Sequence, residues 1–337
     1  MLVARPAKLS DDKDLFELAR LAGPGFTSLA VGEDALRERL EKSVKTFKST
    51  GPSTSDSVYL LMLEDTESGE ILGMSAVKAQ IGVADPFFNF RILKLAQQSA
   101  VTKKRFDMEV LMLVNEYAGA SEVSSLFVKK SARGTGAGRL ISQARYMLIA
   151  SDVSRFGEKI ISELRGHVDD TGYSPFWEAI GRKFFQMDFN EADQVSASLN
   201  TQFISDLMPK HPIYAALLPK EAQDVMGQTH PLGVGARRYL EKEGFRYDGI
   251  IDVFDGGPSV TAPSSDIRTI KESRRVTAVK GTGEFPLNGL ISNDNLGAFR
   301  SVFSPIRMDY GEAVLPENVF KALKLESGDA IRVWIKR

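Results

Sequence analysis

The string Arg133-Gly134-Thr135-Gly136-Ala137-Gly138-Arg139-Leu140 sets three glycines at alternate positions between two arginines. A β-branched, apolar stretch, 123–128, comes before it, and helical spacing follows from about Gly138 to Ala150. A turn from strand into helix points successive backbone N–H groups one way, and the helix N-terminus adds partial positive charge. Both suit a phosphate or pyrophosphate, which glycine lets approach the backbone closely. A Walker loop would end in Gly-Lys-Ser/Thr, but Gly138 is followed by Arg139 and Leu140. A Rossmann loop wants a glycine where Arg139 stands. Arg133 and Arg139 would bring charge to the phosphates, and Lys129 and Lys130 either extend that charge to a further phosphate or solvate the loop.

The chain has three histidines, His167, His211 and His230. Imidazole exchanges protons near neutral pH, so each is a candidate acid or base, and each could instead be a structural hydrogen-bonding residue. His167 follows the strand end Leu164-Arg165-Gly166, where a site residue is plausible. His211 stands beside Pro212, and His230 lies in the loop Gly227-Gln228-Thr229-His230-Pro231. Four acids, Asp169, Asp170, Asp252 and Asp255, sit where a bidentate carboxylate could hold a cationic ligand. Asp252 and Asp255 fall in Asp252-Val253-Phe254-Asp255-Gly256-Gly257, so either could instead cap a tight turn.

These residues need elements to position them. Leu2–Arg5 reads as a strand closed by Pro6; Leu15, Leu18, Ala19 and Ala22 recur at helical spacing until Gly23-Pro24-Gly25 stops them. Leu36, Leu40, Val44 and Phe47 mark a second helix from Glu33. Strands are expected at 58–64 and 71–81, then a pair at 109–117 and 122–128 joined across Ala118-Gly119-Ala120, and another at 159–165. Residues 175–245 read as mostly helical, and 246–337 as β-rich with a late helix near 316–323. Strands joined by hairpins rather than repeated βαβ units make this an α+β chain. The division we read is 1–170, a nucleotide-binding lobe; 171–280, a helical and β lobe completing the site; and 281–337, a β-rich module.

Composition narrows the function classes. The charge of 43 basic against 44 acidic residues nets −1, so nothing favours nucleic acid or an anionic membrane. With no cysteine, disulfides, thiolate zinc sites, iron–sulfur clusters and cysteine nucleophiles are excluded. No metal-ligand spacing stands out, so no metal is expected. No apolar run is long enough to span a membrane and no signal-peptide pattern opens the chain, which fits a cytoplasmic enzyme.

Longer strings carry a resemblance. They are Leu2-Val3-Ala4-Arg5-Pro6, Thr27-Ser28-Leu29, Leu63-Glu64-Asp65, Gly172-Tyr173-Ser174-Pro175-Phe176-Trp177, and Phe184-Phe185-Gln186-Met187-Asp188-Phe189. Leu207-Met208-Pro209-Lys210-His211-Pro212-Ile213-Tyr214 and Glu221-Ala222-Gln223-Asp224-Val225-Met226-Gly227-Gln228-Thr229-His230-Pro231 follow. Glu243-Gly244-Phe245-Arg246-Tyr247 and Ile251-Asp252-Val253-Phe254-Asp255-Gly256-Gly257-Pro258 complete them. In these the chain resembles the arginine N-succinyltransferase family. Arg133, Gly136 and Gly138 also match the acyl-CoA loop of the acetyltransferase-like superfamily, Arg/Gln-x-x-Gly-x-Gly/Ala.

The resemblance implies an acetyltransferase-like fold, a mixed sheet flanked by helices. It implies transfer of succinyl from succinyl-CoA, a co-substrate rather than a resident cofactor, to the α-amino group of L-arginine. It places a succinyl-CoA contact on Leu126 and the proton donor on His230, whose role as acid, base or both stays open. On this reading the loop residues Arg133, Gly134, Gly136, Gly138 and Arg139 bind the co-substrate. Asp252, Asp255 and His167 are acceptor candidates, and Arg5, Arg165 or Lys210 could meet the succinyl carboxylate. Use of L-ornithine, a generic acetyl-CoA activity, and a CoA-binding but non-catalytic partner subunit remain alternatives; a homodimer or a heteromer with a paralogous subunit is expected.

Overall fold

The computed structural model describes residues 1–22, 32–198 and 202–336. The Gly23-Pro24-Gly25 stop and Thr27-Ser28-Leu29 lie outside the described residues. Strand β1 (Leu2–Pro6) leads into α1 (Asp12–Ala22) and α2 (Glu33–Lys48). Leu15 and Leu18 of α1, and Leu36, Leu40 and Phe47 of α2, are buried, so the helical spacing of the sequence does mark the faces that pack.

Next come β2 (Val58–Asp65), β3 (Ile71–Lys78), β4 (Asn89–Gln98), β5 (Arg105–Val114), β6 (Ser121–Val128), α3 (Ala137–Ser151) and β7 (Lys159–Glu163). The expected pairing of 109–117 with 122–128 does not occur. β5 pairs with β4, from Asn89↔Val114 to Gln98↔Arg105, while β6 runs between β3 and β7. β4 escapes the sequence reading because its second half is exposed and Lys94, Gln97 and Gln98 break the apolar alternation.

The middle of the chain folds into short helices α4 (Pro175–Ala179), α5 (Gly181–Phe185), α6 (Phe189–Ser198), α7 (Gln202–Leu207) and α8 (Lys220–Val225), with β8 (Ile213–Tyr214) among them. Helix α9 (Val234–Glu243), strands β9 (Arg246–Asp252) and β10 (Pro258–Pro263) and helix α10 (Arg268–Glu272) follow. The rest is β11 (Arg274–Lys280), β12 (Leu287–Asn293), β13 (Ser301–Asp309), β14 (Glu312–Leu315), α11 (Glu317–Leu323) and β15 (Ala330–Ile335).

The strands form one continuous order, β12-β15-β11-β14-β13-β1-β2-β3-β6-β7-β10-β9-β4-β5-β8. A further β12–β13 pairing closes the first five into a small barrel around Ile291, Val302, Ile306 and Ile331. The barrel takes its first strand, β11, from upstream of residue 281, because β11 pairs with β14 and β15. The remainder is a mixed α+β sheet with helices packed on it. No helix among the described residues is long and apolar enough to cross a membrane.

Helix α3 is buried from Leu140 to Ala150, so it needs cover on all sides. Part of that cover comes from the barrel. Trp334 of β15 is buried, donates from its indole N–H to Glu272 (3.0 Å), and has the guanidinium groups of Arg139 and Arg268 at 5.3 and 5.2 Å from its ring centre. Glu243 pairs with Arg268 (3.0 Å) and also accepts from Gln143 (2.9 Å) and the Thr269 amide (2.8 Å). Removing so large a buried ring creates a cavity, so Trp334→Ala should lower stability by about 3–5 kcal/mol in urea unfolding. A loss below about 1 kcal/mol would show that the barrel does not brace α3 through this residue.

Candidate functional site

Strands β6 and β7 are parallel neighbours, yet their register covers only Ser121↔Ile160 and Glu122↔Ile161. Beyond that point they part, and Ser162 of β7 reaches across to donate its hydroxyl to the Val123 carbonyl at 3.0 Å. On its other side β6 carries a bulge: its register with β3 shifts between Met74 and Ala76, and Ser125 adopts φ 53°. A bulge re-aims the strand locally, and an L-residue held at positive φ is strained, a feature that concentrates at functional sites. Leu126 is half-buried beside it. The parting leaves a wedge between the two strands that an extended, amide-bearing chain can enter along β6.

The glycine loop stands at the end of β6. After a tight turn at Lys130–Ala132 the chain passes through Gly134 (φ 84°) and Gly136 (φ 93°), and α3 starts with no side chain capping its first N–H groups. Positive φ explains the first two glycines. Gly138 is different: it lies inside the helix, and a Cβ there would meet nothing within 4 Å. Nothing in the chain requires glycine at that position, whereas a phosphate resting on the helix N-terminus would. Arg133 donates to the Val128 carbonyl at 3.1 Å and covers Phe127 (5.8 Å to the ring centre).

Arg139 departs from its expected role. It donates to Gln143 at 2.8 Å and lies over Phe303 and Trp334, so it ties α3 to the barrel rather than reaching a phosphate. Lys129 is paired with Glu17 and Glu70, each at 3.3 Å, while Lys130 is exposed beside the loop.

His230 and His167 come together, with ring centres 6.1 Å apart. The His230 amide donates to the Arg165 carbonyl at 2.8 Å, which docks its loop on the chain leaving β7. Its Nδ1 accepts the Leu232 amide at 3.2 Å, so Nε2 is the nitrogen left for a substrate. Burial first, then the neighbouring Arg165 and His167, hold the ring below its ordinary pKa, with Asp170 opposing. His211 is exposed just before β8.

Along the end of β7 Glu163, Arg165 and His167 are half-buried and Ser162, Leu164, Gly166 and Val168 buried, a two-residue alternation that puts the first three on one face. The Arg165 guanidinium donates to the Val168 carbonyl at 3.0 Å, its Nε finding no acceptor among the described residues. Of the cations considered for an acyl carboxylate, Arg5 is buried against Asp11 (2.7 Å) and Glu64, and Lys210 is exposed.

Two acceptor candidates hold backbone. Both Asp255 oxygens are occupied, Oδ2 by the Gly166 amide (2.6 Å) and Oδ1 by the Gly257 amide (2.7 Å). Asp255 therefore shapes the strand end carrying Arg165 and His167. Asp252 Oδ1 accepts the Phe254 (2.7 Å) and Asp255 (2.9 Å) amides, capping the same turn. Exposed Asp169 likewise caps its own turn through Thr171 and Tyr173, and Asp170 is exposed. The sequence reading missed Glu163 and its partner Asn89, which donates to it at 2.7 Å. The polar alternation Glu163, Arg165, His167 is the signal that could have found the first of them.

Known proteins share the sequence and the fold of this chain. A family model described as the arginine N-succinyltransferase beta subunit matches residues 2–269, and its C-terminal domain model matches 273–334. The chain is 39% identical over 336 residues to the arginine N-succinyltransferase of Escherichia coli strain 55989, covering 99% of this chain and 97% of that one. The Shigella flexneri protein of that name matches at 39% identity over the same shares. The solved structure of arginine/ornithine succinyltransferase subunit AI from Pseudomonas aeruginosa superposes with TM-score 0.91 at 33% identity, covering 99% of this chain and 98% of that one.

The loop reading has a direct test in Gly138→Val. The added side chain points into open space, so stability should change by no more than about 1 kcal/mol, while binding of succinyl-CoA, followed by calorimetry, should weaken about 100-fold or more. Unchanged affinity in the folded variant would mean that the phosphates do not rest on this helix end.

Proposed function

The chain belongs to the arginine N-succinyltransferase family, and from that premise we propose that it transfers the succinyl group of succinyl-CoA to the α-amino group of L-arginine. The observation that carries this reading is the parting of β6 and β7, with Arg165, His167 and His230 beside it. The pyrophosphate of succinyl-CoA rests on the backbone of Gly134–Gly138, with Arg133 beside it. The pantetheine arm runs along β6 past Leu126. Arg165 meets the free carboxylate of the succinyl group, the feature that separates this acyl group from acetyl.

The amine attacks the thioester directly in a ternary complex: a C–N bond forms, the C–S bond breaks, and one proton passes from nitrogen to sulfur overall. A cysteine-bound intermediate is ruled out because the chain has no cysteine. His230 presents Nε2 to the leaving sulfur; when the ring is charged its Nδ1 releases the Leu232 amide and Nε2–H delivers the proton to sulfur. Because the ring's pKa is held below its ordinary value, the charged fraction falls as pH rises through and above that lowered pKa. Acid assistance is therefore strongest on the acid side, and ionisation of the amine opposes it there.

A second reading has its own support. The relative from Pseudomonas aeruginosa is named for arginine and ornithine and as a subunit, so L-ornithine is a further acceptor and a paralogous chain or a second copy a further partner. We place the enzyme in the cytoplasm.

Thiol release from succinyl-CoA should require L-arginine or L-ornithine; no release with any amine would contradict the proposal. His230→Ala should cut kcat about 10²–10⁴-fold while succinyl-CoA binding stays near normal. A variant with wild-type kcat from about pH 6 to 9 would remove His230 from proton transfer.

A further inference from the structure

Three carboxylates from different strands gather beside the wedge: Glu122 on β6, Glu163 on β7 and Asp252 at the end of β9. Glu122 is paired with Lys78 at 2.7 Å. Glu163 and Asp252 are half-buried, and neither pairs with a cationic side chain among the described residues. Burial and their mutual repulsion, with Glu122 adding to it, hold Glu163 well above the usual carboxylate range. Burial and Asp255 push Asp252 up to about 7.

Asn89 supplies an independent observation. It is fully buried on β4, paired in register with Asp252, and its amide N–H donates to Glu163 at 2.7 Å. Its carbonyl oxygen finds no donor among the described residues. A buried, unpartnered acceptor costs about 1–3 kcal/mol unless something donates to it. The Ser259 hydroxyl also donates to Glu163, at 3.4 Å; two carboxylates without a protein cation, and an orphaned carbonyl beside them, leave this cluster with more acceptors than donors.

We infer that Glu163, Asp252 and Asn89 form the subsite for the cationic side chain of the amine acceptor. The inference rests on the transferase reading above and deepens it. A guanidinium offers five N–H donors in a planar fork and no acceptor, the complement of this pocket. Glu163 gives the charged contact, the Asn89 carbonyl takes a further N–H, and Asp252 adds negative charge beside them. The placement also suits the reaction. Glu163 is one two-residue strand repeat, roughly 6.6 Å, from Arg165, whose carbonyl holds the His230 loop. A side chain anchored at Glu163 thus leaves its α-amino group on the His230 side of the face.

The test compares L-arginine with L-citrulline, whose ureido group keeps the shape without the charge, in the wild type, Glu163→Gln and Asp252→Asn. Each substitution keeps the oxygen that its neighbours need and removes the charge. In the variants kcat/KM for arginine relative to citrulline should fall about tenfold or more, with KM for succinyl-CoA unchanged. The ligand-free variants should also melt higher than wild type at pH 8, because one of two repelling carboxylates is gone. A carboxylate with a purely structural role would move melting the other way. A wild-type preference for arginine in both variants would overturn the inference, as would lowered melting together with weakened succinyl-CoA use. A wild type that does not turn over arginine at all would instead overturn the transferase reading, so the two failures are distinct.

Discussion

The parallel register of β6 and β7 stops after Glu122↔Ile161, and the rest of the site depends on that interruption. A continuous parallel pair would pair β6 along both of its edges and leave no groove for an extended ligand. Three features hold the strands apart. The bulge at Ser125 turns the end of β6, the Ser162 hydroxyl bridges the gap at its apex, and α3 fills the space beneath as the crossover between the strands. The same crossover places the helix N-terminus, with its uncapped amides, at the open end of the groove. On the proposed function, one local break in a ladder creates both the channel for a thioester arm and the anchor for its phosphates.

The other parts of the chain brace this break from outside. The turn after β9 is stitched by Asp252 and Asp255, and Asp255 reaches back to Gly166 to fix the strand end that presents Arg165 and His167. The barrel holds α3 through Trp334, which has the guanidinium groups of Arg139 and Arg268 beside its ring, the second paired with Glu243. Such a network is costly when half satisfied, and here the Glu243 carboxylate meets three donors. Asp255 and the barrel give rigidity, while burial and mutual repulsion disfavour the charged forms of Glu163 and Asp252 until a cation joins them.

Much of this was legible in the sequence where local periodicity decides. The helix expected from Gly138 to Ala150 is α3, Ala137–Ser151, and the strand after it was found as well. What local pattern cannot give is who pairs with whom. The strand at 89–98 was hidden by its exposed polar half, so its partner β5 was assigned to β6 instead. Arg139 looked like a phosphate ligand because the ring it lies over, Trp334, is far along the chain. That Asp255 holds the Gly166 and Gly257 amides is not legible either, because a carboxylate that caps backbone and one that binds substrate have the same letter. Glu163 was passed over since its environment comes from Asn89 and Asp252, on strands whose positions only the fold reveals.

The most direct test is amide hydrogen exchange of the intact protein, followed peptide by peptide with and without succinyl-CoA. Exchange should slow in two stretches, the second half of β6 from Ser124 to Val128 and the loop from Arg133 to Gly138, with the β12–β15 edge of the barrel unchanged. Protection confined to other segments, or equal everywhere, would contradict a co-substrate seated where β6 and β7 part.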